Sequence, residues 1–386
     1  MKQLQDVCHI IRGASPRPKS DPRFFGGEIP WIKISDVTKA KGKYLFFTKE
    51  SVTEEGKKKS VFLLPETLIV TNSATVGIPK ILKIAGCIHD GFLAIKNLSE
   101  EVDRDYLYYY LLSIREHLNR IAPKGTQKNL NINIANKIEV LIPPLLIQKK
   151  IVSILDLAST LKEKRTNANL MTDKILQAIY FKMFGDPFID TKFDMQKIMD
   201  LTSLVSYGFT RPMPHFDIGI PIITSKNVRV GKIDFDNVDY TDTQSFAELS
   251  KKDCPKKGDI LYTKDGRIGV AAAVKTDTRF CISQAVAILR PLKEKIDPIF
   301  FETLLNTTLF RNKVRGMAYG VALKHISITK LKQLSIATPS LKLQKKFVTI
   351  VKKIDEIRKK QEASKDTLNE LYAAITSKAF KGEFLK

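Results

Sequence analysis

Two short polar segments in this sequence carry the side chains best suited to hydrogen-bonding chemistry. Each follows an apolar, β-rich run, LIVT in the first half of the chain and ILYT in the second. The side chains are Asn72, Ser73 and Thr75 in the first segment and Lys264, Asp265 and Arg267 in the second. An asparagine amide can bond bidentately to adenine, whereas arginine and lysine favour guanine. The two segments therefore have groups that can read base edges, and they are expected to read different bases.

Further polar and basic residues occur in loops of both halves and could contact a nucleic acid. In the first half they are Arg17, Lys19, Arg23, Lys33, Lys124, Thr126, Gln127, Lys128 and Asn129. In the second half they are Arg211, Lys226, Asn227, Ser283, Gln284, Lys324 and His325. Contacts to phosphate set the register of a protein on DNA, and contacts to base edges give specificity. The alternative for each single residue is a solvated loop position, and the lysine runs 57–59 and 359–360 are better explained as solvated faces or general phosphate attractors.

The overall charge indicates a polyanionic partner. The chain of 386 residues has a formal net charge of +23 and a hydrophobic fraction of 43%, which is ample for folded cores. A positive excess of this size raises the local concentration of nucleic acid. No apolar stretch approaches the roughly 20 residues that span a bilayer, and the N-terminal residues lack the pattern of a signal peptide. We therefore expect a cytoplasmic protein that binds nucleic acid.

The motifs of the common enzyme classes are missing. The sequence has no GxxxxGK[ST] loop and no GxGxxG segment after a strand, which are the signatures of nucleotide sites. Its histidines and cysteines lack metal-ligand spacing, and IPPL at 142–145 lacks the polar first residue and aromatic last residue of an adenine methyltransferase signature. Asp259 and Asp265 with nearby lysines form only a weak nuclease pattern. We expect no catalytic residues, no metal and no cofactor.

An internal duplication organises the chain. Short segments of the first half recur in the second half in the same order. The matched pairs are 13–18 with 208–212, 29–37 with 220–228, 68–77 with 260–269, 125–131 with 320–327, and 143–152 with 339–348. Such an ordered series is not expected by chance. Each half is therefore predicted to be one copy of the same mixed domain, followed by one long helix.

Each predicted domain combines strands and helices. The β-rich runs Thr67–Asn72 and Ile88–Lys96 predict strands, with glycine and proline between them. Helices are predicted at Tyr106–Ile121 and at its counterpart Ile299–Val314. The near-consecutive tyrosines within 106–110 would point in different directions on a helix, so they are predicted to pack in the core rather than to stack on bases.

The long helix after each domain has a seam of residues spaced alternately three and four apart. Such a repeat keeps a narrow apolar face against a partner helix. The first seam is Ile147, Ile151, Ile154, Ala158, Leu161, Arg165, Ala168, Thr172, Ile175 and Ile179, and the second is Leu343, Phe347, Ile350, Ile354, Ile357, Gln361, Ser364, Leu368, Leu371 and Ile375. The two helices are predicted to pair within one chain as an antiparallel coiled coil with an internal pseudo-twofold axis. The alternative is a coiled coil between the helices of a homodimer.

The ends of these helices give the predicted domain boundaries. Pro143 and Pro144 precede the first helix, and Ser340 is suited to cap the second. Gly185 and Gly382 are expected to end them. The predicted layout is a domain at 1–142, a spacer helix at 143–184, a domain at 185–338 and a spacer helix at 339–386. The predicted fold class is α+β, with two similar mixed α/β domains.

Three of these features together resemble one known family. They are the duplicated layout, the Gly125-Thr126-Gln127 segment before a Pro-Pro-x-x-x-Gln helix start, and Met183-Phe184-Gly185-Asp186-Pro187 after the first helix. Over its whole length the chain resembles the DNA-specificity subunits of prokaryotic type I restriction-modification systems. Two local departures are Leu146-Ile147-Gln148, where the family often has an acid before the glutamine, and Gly320-Val321-Ala322-Leu323 in place of the Gly-Thr-Gln segment.

This resemblance implies a non-catalytic subunit without a cofactor. In that family each globular domain is a target-recognition domain, and the paired helices form a spacer that also docks partner subunits. The expected partners are double-stranded DNA, two adenine methyltransferase subunits that bring S-adenosylmethionine, and ATP-dependent restriction subunits where these exist. The DNA site is expected to be bipartite and asymmetric. The alternative is a stand-alone DNA-binding regulator that dimerises through its coiled-coil helices.

Overall fold

The computed structural model describes residues 1–19, 21–123, 129–189, 192–320 and 325–385. The chain divides into two compact units. The first unit comprises residues 1–166 and 363–386, and the second comprises residues 167–362. Each unit contains one mixed α/β domain together with parts of both long helices.

In its described residues, the first unit has a five-stranded and a four-stranded sheet. Its strands are β1 (Lys2–Gln3), β2 (His9–Arg12), β3 (Phe25–Ile32), β4 (Tyr44–Leu45), β5 (Glu50–Val52), β6 (Val61–Leu63), β7 (Leu68–Thr71), β8 (Pro79–Leu82), β9 (Gly86–Ile88), β10 (Phe92–Lys96) and β11 (Glu139–Val140). The sheets have the orders β2-β10-β7-β8-β4 and β5-β3-β9-β6, and β1 pairs with β11. The shorter helices are α1 (Leu4–Val7), α2 (Ile34–Lys39), α3 (Glu54–Lys58), α4 (Arg104–Ser113), α5 (Arg115–Ile121) and α6 (Ile132–Asn136).

The second unit repeats most of this order. Its strands are β12 (Asp194–Lys197), β13 (Thr202–Tyr207), β14 (Ile220–Ile223), β15 (Val228–Arg229), β16 (Lys232–Ile233), β17 (Asp239–Thr241), β18 (Ile260–Thr263), β19 (Ala271–Ala273), β20 (Cys281–Ile282), β21 (Val286–Pro291) and β22 (Ser335–Thr338). The larger sheets have the orders β13-β21-β18-β19 and β17-β14-β20. The shorter helices are α8 (Thr243–Ala247), α9 (Pro298–Leu305), α10 (Thr308–Met317) and α11 (Ile328–Gln333).

One central strand in each main sheet is buried over its whole length. All residues of β7 and β18 are buried, and these strands pair antiparallel with β10 and β21. Continuous apolar runs are typical of strands that are covered on both faces. Helix α4 packs on β8 in the first unit, and α9 packs on β19 in the second. The loop after β7 in the first unit and the loop after β18 in the second unit therefore occupy equivalent positions in the two domains.

This architecture confirms the α+β class and the duplication. The predicted strand Thr67–Asn72 corresponds to β7. The predicted strand Ile88–Lys96 is wrong in its first part, because the chain turns between the end of β9 and the start of β10. Within this turn the Phe92 N–H donates to the His89 carbonyl at 3.2 Å, and the Gly91 N–H donates to His89 Nδ1 at 2.9 Å.

The single helices predicted at Tyr106–Ile121 and Ile299–Val314 are each two helices. Helices α4 and α5 meet at Ile114, which has φ −93° and ψ 9°. Thr307 separates α9 from α10, and its hydroxyl accepts a hydrogen bond from the Phe310 N–H at 3.3 Å. A threonine that bonds to the backbone ahead of it starts a new helix. The apolar periodicity continues across both breaks and therefore did not reveal them.

The tyrosines of α4 pack in the core, as predicted. Tyr106, Tyr108, Tyr109 and Tyr110 are all buried. The hydroxyl of Tyr106 donates a hydrogen bond to a backbone carbonyl at 2.8 Å. Burial raises the pKa of all four hydroxyls, so these side chains stay neutral at physiological pH.

Each domain is followed by a helix of 40 residues, α7 (Leu145–Phe184) and α12 (Leu341–Phe380). The carbonyl of Ser340 accepts the first backbone hydrogen bonds of α12, at 2.9 and 3.0 Å. Gly185 has φ +71° and Gly382 has φ +79°, the left-handed conformation that commonly ends a helix. None of the helices in the described ranges is apolar over the length that crossing a bilayer would require.

Helices α7 and α12 run antiparallel within the second unit. The side-chain amide of Gln361 donates to Thr172 Oγ1 at 3.0 Å. Two turns further along α7, the ring centroid of Tyr180 lies 5.7 Å from that of Phe347, which is near the start of α12. Rising residue numbers on α7 therefore meet falling numbers on α12.

The same two helices also meet within the first unit. The ammonium of Lys162 lies 4.5 Å from the ring centroid of Tyr372. Ile151 and Leu155 of α7 share a buried cluster with Ala379 of α12. In both units the partner of each long helix thus belongs to the same chain, and the homodimeric coiled coil is not favoured.

The predicted seam residues are buried or half-buried at fifteen of twenty positions, and the seam is wrong by one residue at the other five. The predicted residues that are exposed are Ile154, Leu161, Ile175, Ile357 and Leu371. Their next neighbours, Leu155, Lys162, Leu176, Arg358 and Tyr372, are buried or half-buried instead. Apolar residues are adjacent in pairs such as Ile154-Leu155 and Ile175-Leu176, so the spacing allowed both frames. Packing against the domain cores selects Leu155 and Leu176.

A buried glutamine joins α7 to the domain of the first unit. The side chain of Gln148 is fully buried. Its oxygen accepts a hydrogen bond from the Asp103 backbone N–H at 2.8 Å. Its nitrogen donates to the carbonyls of Glu101 and Pro143, each at 2.7 Å. The helix start is thereby connected to the residue that caps α4.

Gln344 makes the same three bonds at the start of α12. It accepts from the Asp297 backbone N–H at 2.8 Å and donates to the carbonyls of Lys295 at 3.1 Å and Pro339 at 2.8 Å. It is also fully buried. The recurrence explains why the two helix starts share a glutamine at the same distance from the preceding proline.

We expect Gln148→Leu and Gln344→Leu each to lower the free energy of unfolding by about 2–5 kcal/mol. Each change leaves one N–H and two carbonyls without partners, and a buried unsatisfied group costs about 1–3 kcal/mol. Urea unfolding of the full chain measures the loss. The control is Gln244→Leu, at an exposed glutamine of α8, which should change stability by no more than about 0.5 kcal/mol. Equal losses in all three variants would contradict the role of the buried amides.

Candidate nucleic-acid interface

The loops after β7 and β18 have the same internal construction. Each begins with a threonine, Thr71 or Thr263, whose hydroxyl donates to the carbonyl four residues later. The same hydroxyl accepts from the backbone N–H seven residues later at 2.9 Å. Gly77 and Gly269 return the chain by donating to the threonine carbonyls at 2.8 and 3.0 Å, with φ +84° and +86°. We name these two segments, 71–77 and 263–269, the recognition loops.

A second segment meets the recognition loop of the first unit. The Leu130 N–H donates to the Asn72 carbonyl at 2.7 Å, and Ser73 forms a β-bridge with Asn129. The structure thus brings these predicted residues together. The Asn72 side chain is 0% exposed, and both of its amide atoms lack a hydrogen-bond partner among the described residues. In this conformation Ser73 and Thr75, which are half-buried, are the accessible predicted side chains of the loop.

The recognition loop of the second unit has the same neighbour but a different charge. The Ile326 N–H donates to the Lys264 carbonyl at 2.9 Å, and Asp265 forms a β-bridge with His325. The buried carboxylate of Asp265 contacts Lys264 Nζ at 2.6 Å and His325 Nδ1 at 2.8 Å. Asp265 therefore positions two potential contact residues, while the His325 side chain, 40% exposed, and Arg267 face solvent.

Three predicted basic residues of the first unit surround one imidazole. Burial lowers the pKa of His89. The carboxylate of Asp90 opposes this effect, and the charges of Lys19, Lys33 and Arg17 add to it. These three cations, which are distant from the recognition loop in sequence, thus produce a locally positive surface.

Two of the predicted basic residues of the first unit, Arg23 and Lys33, have acidic neighbours. Arg23 is paired with Asp21 at 2.7 Å and Lys33 with Glu50 at 2.7 Å. These pairs lie at the surface, where an ion pair contributes only about 0–1 kcal/mol. A phosphate could therefore compete for these basic side chains at little cost.

Four other predicted contact residues of the second unit lie at or near the surface. Three are exposed and Ser283 is half-buried. Arg211 and Lys226 are exposed and lie 2.8 and 3.6 Å from carboxylates. Gln284 is exposed between β20 and β21, and the adjacent Ser283 is half-buried. The Ser283 hydroxyl has no hydrogen-bond partner among the described residues.

The structure corrects one of the predicted DNA contacts, Asn227. It is 1% exposed. Its amide oxygen accepts from the Thr224 N–H at 3.0 Å, and its amide nitrogen donates to the Asn237 carbonyl at 2.7 Å. The side chain is thus used to close a turn, which is a common role of asparagine in loops, and the structure contradicts a direct DNA contact there.

The remaining predicted contacts lie outside the described residues. They are Lys124, Thr126, Gln127, Lys128 and Lys324. Lys128 immediately precedes Asn129, and Lys324 immediately precedes His325, so both adjoin segments that meet the recognition loops. Their role stays a prediction.

Sequence reasoning missed two arginines beside the second recognition loop. Arg315 of α10 lines a cavity together with Arg267 of the loop. Arg311, one turn earlier on α10, packs against Gly269, where an added Cβ would lie 3.8 Å from the Arg311 Cα. The sequence did contain one indication of these residues. Arg311 and Arg315 are four residues apart, so a helix places both on the same face.

The described residues contain no group of three or more His, Cys, Asp or Glu side chains arranged to hold a metal. All four cysteines are unpaired. Burial raises the pKa of Cys8 to about 11. Asp259, part of the weak nuclease pattern, is buried and ion-paired with Arg290 at 2.8 Å. The recognition loops offer hydrogen-bonding and charged groups, which are suited to contacts with base edges and phosphates.

Comparison with known families gives a match over most of the chain. Residues 1–170 and 215–370 match the family described as the type I restriction modification DNA specificity domain. The two matched ranges fall on the two halves of the duplication.

Similar curated proteins are named as specificity subunits. The type I restriction enzyme MjaIX specificity subunit of Methanocaldococcus jannaschii is 22% identical over 380 residues, covering 92% of this chain and 86% of that protein. The type I restriction enzyme EcoBI specificity subunit of Escherichia coli is 22% identical over 388 residues, covering 92% of this chain and 80% of that protein.

Two solved structures share the fold. A chain from a study of complex assembly and conformational transition of the type I R-M system has a TM-score of 0.61 at 15% identity, covering 98% of this chain and 96% of that one. The type I restriction-modification S subunit from M. genitalium has a TM-score of 0.54 at 14% identity, covering 98% of this chain and 95% of that one.

Proposed function

The chain belongs to the type I restriction modification DNA specificity domain family, and we propose that it reads a bipartite, asymmetric DNA site and directs partner subunits to it. It is a non-catalytic DNA-recognition subunit. In this proposal each unit reads one half-site, two methyltransferase subunits modify adenine there, and restriction subunits, where they exist, act from the same site. S-adenosylmethionine and ATP would be bound by those partners and not by this chain.

The observation that carries the proposal is the recurrence of one loop construction in two units. The threonine-to-glycine frame of 71–77 is repeated at 263–269 with the same hydrogen bonds. In each unit a second segment donates a backbone hydrogen bond to the residue after the threonine. A scaffold that is kept twice, while the side chains on it differ, is suited to two readers of different sequences.

The accessible side chains of the two loops support an asymmetric site. The first loop offers the hydroxyls of Ser73 and Thr75, which are neutral. The second offers Arg267 and His325, with Lys264 held by a buried carboxylate. Hydroxyls can donate to or accept from several bases, whereas cationic donors favour the acceptors of guanine. The two half-sites are therefore expected to differ in sequence.

The paired long helices are the proposed spacer between the half-sites. Both α7 and α12 contribute residues to both units. An α-helix rises about 1.5 Å per residue, so the number of residues in the paired helices would set the number of unread base pairs.

Exposed apolar residues of α7 are the proposed docking face for the methyltransferase subunits. In the first unit Ile154, Leu157 and Leu161 are 37%, 62% and 41% exposed, and their spacing places them on one helix face. In the second unit Met171 and Ile175 are 64% and 54% exposed. Apolar stripes of this kind mark protein interfaces, and the similar curated proteins are named as subunits of restriction enzymes.

A stand-alone regulator that dimerises through these helices is less well supported. A homodimer that pairs α7 with α12 of a second copy would need these helices to be unpaired within the chain. In each unit, however, the buried face of α7 packs against the domain core and against α12 of the same chain. The exposed stripe lies outside this pairing, and the proposal assigns it to the methyltransferase subunits.

Selection of bound sequences from a random duplex library tests the two-reader proposal. We expect the full chain to enrich two short conserved blocks separated by a constant gap. Ser73→Ala should relax one block and His325→Gln the other, each by the roughly 1–3 kcal/mol that a base contact contributes to discrimination. The unaffected block is the internal control in each variant. Enrichment of no sequence, or a change in both blocks from either single variant, would contradict the proposal.

Lengthening both long helices tests the spacer. We propose insertion of seven residues after Thr166 and seven after Glu362, copied from the adjacent heptads so that the packing frame is kept. The helices then lengthen by about 10 Å, and the unread gap should grow by about three base pairs without any change in the conserved blocks. Insertion after Thr166 alone is the control and should abolish bipartite selection. Altered blocks with an unchanged gap would rule out the spacer.

Charge placed on the exposed stripe tests the docking face. We expect the double variant Leu157→Asp and Leu161→Asp to lose co-purification with a co-expressed methyltransferase subunit, because buried carboxylates in an apolar interface lack partners. The control is Leu64→Asp, since Leu64 is 66% exposed but lies off the helix. The docking proposal fails if the stripe variant retains the partner as well as this control does.

A further inference from the structure

A basic cavity lies beside the recognition loop of the second unit. It has a volume of about 240 Å³ and is lined by Gly266, Arg267, Ile268, Arg315 and Ala318. A water molecule accounts for about 30 Å³ of liquid volume, so the cavity has room for a tetrahedral oxyanion and part of its hydration. Two elements, the loop and α10, each contribute a guanidinium group to it.

A third arginine adjoins this pair. Arg311 is half-buried, and its Nε is buried without a hydrogen-bond partner among the described residues. Burial lowers the pKa of Arg311, and the charges of Arg315 and Arg267 lower it further, although Tyr262 opposes them. The charges of Arg267 and Arg315 thus both act on the guanidinium group of Arg311. Such an arrangement is unfavourable on its own and becomes favourable around an anion.

Unlike Lys264 and Arg290 of the same unit, these arginines have no acidic partner among the described residues. Lys264 is paired with Asp265 at 2.6 Å and Arg290 with Asp259 at 2.8 Å. None of the three arginines forms an ion pair with a carboxylate of the described residues. The adjoining segment 321–324 reads VALK and contains no acid. Among the described residues, no carboxylate is therefore paired with the positive charge at this cavity.

The first unit lacks the full set. Arg115 of α5 occupies the place of Arg311, since a Cβ added at Gly77 would lie 3.2 Å from Arg115 Cγ. At the position that corresponds to Arg267 the first loop has Thr75. The cluster of three arginines is thus a feature of the second unit and not a general requirement of the repeated fold.

We propose that Arg267, Arg311 and Arg315 bind a phosphate of the DNA backbone beside the base-contacting side chains of the second unit. This inference rests on the proposed function, since DNA is the ligand in both. It reassigns Arg267 from the base contact suggested by its sequence position to a backbone contact.

The chemistry of the cluster fits a phosphodiester. A guanidinium group presents parallel N–H donors that match two oxygens of a phosphate. Arg267 and Arg315 line the cavity, and the charge of the adjacent Arg311 adds to its positive potential. A phosphate held at this point would fix the register of the second recognition loop on the duplex without selecting a base.

Salt-dependent binding of the full chain to duplex DNA tests the site. Arg267→Gln and Arg315→Gln are the chosen variants, because both side chains are exposed and circular dichroism can verify that the folded state is retained. Each should weaken binding about five- to tenfold at low salt, equally for a selected duplex and for a random one. Each should also reduce the slope of log K against log salt by about one, as expected for the loss of one phosphate contact.

Lys313→Gln is the matched control. It removes the same charge from the same helix at an exposed position, but two residues from either arginine and hence on another face. It should leave the slope within error of the unmodified chain. An equal effect of Lys313→Gln would overturn the proposal, because it would indicate general electrostatic attraction. A loss of affinity by the arginine variants for the selected duplex alone would also overturn it, because it would indicate a base contact.

Two further measurements separate a DNA phosphate from a free one and this inference from the proposed function. Loss of thermal protection by inorganic phosphate in Arg315→Gln, with unchanged DNA binding, would assign the cavity to a small anion and overturn the proposal. If the unmodified chain selects a bipartite site, and the arginine variants bind DNA with the same affinity and salt dependence as the unmodified chain, only this inference fails. If the variants lose affinity and slope while the unmodified chain selects no sequence, the proposed function fails and the phosphate site stands.

Discussion

One buried amide in each unit fixes the relation between a long helix and the domain that precedes it. Gln148 and Gln344 each bond to three backbone groups, two just before a domain helix and one just before the long helix. One of those groups belongs to Asp103 or Asp297, whose own carboxylate caps the helix that packs on the main sheet. Any shift of the long helix would leave several buried groups unpaired, and each such loss is expensive. The helix start, the cap and the sheet therefore form one rigid assembly.

This rigidity allows the recognition loops to differ without loss of the fold. The loop frame depends on a threonine hydroxyl and a left-handed glycine, and both are present in each unit. Val76 and Ile268 anchor the two loops in the domain cores, whereas the exposed or half-buried positions between the threonine and the glycine differ, so one loop can be neutral and the other charged. In the second unit the buried carboxylate of Asp265 contacts Lys264 and His325. The charge difference thus lies in side chains that the threonine-to-glycine frame does not use.

The sequence predicted the class of fold, the duplication, the two helices and the general place of both loops, because these follow from composition, periodicity and recurrence. At five of the twenty seam positions it did not predict which of two adjacent residues faces inward, since pairs such as Ile154 and Leu155 allowed two alternatives and only packing against the domain selects one. It also placed Asn227 at the surface, because a turn-closing amide and a base-reading amide look alike in sequence. Arg311 and Arg315 were missed because only the folded chain brings them beside the loop 263–269, which is more than 40 residues away in sequence.

Under the proposed function, the two recognition loops would have different physical tasks on a duplex. Binding to phosphate is strong, salt-dependent and indifferent to sequence, whereas hydrogen bonds to base edges are directional and contribute mostly through the penalty for a mismatch. In the second unit, the arginine cluster would lie beside the proposed base-contacting side chains, so this unit would hold DNA before the sequence is matched. In the first loop the accessible groups are the Ser73 and Thr75 hydroxyls, whose contribution would depend on correct hydrogen-bond partners, while the Asn72 amide is buried. Phosphate contacts of the first unit would come instead from basic residues outside its loop, such as Arg17 and Lys19, although both units are built on the same fold.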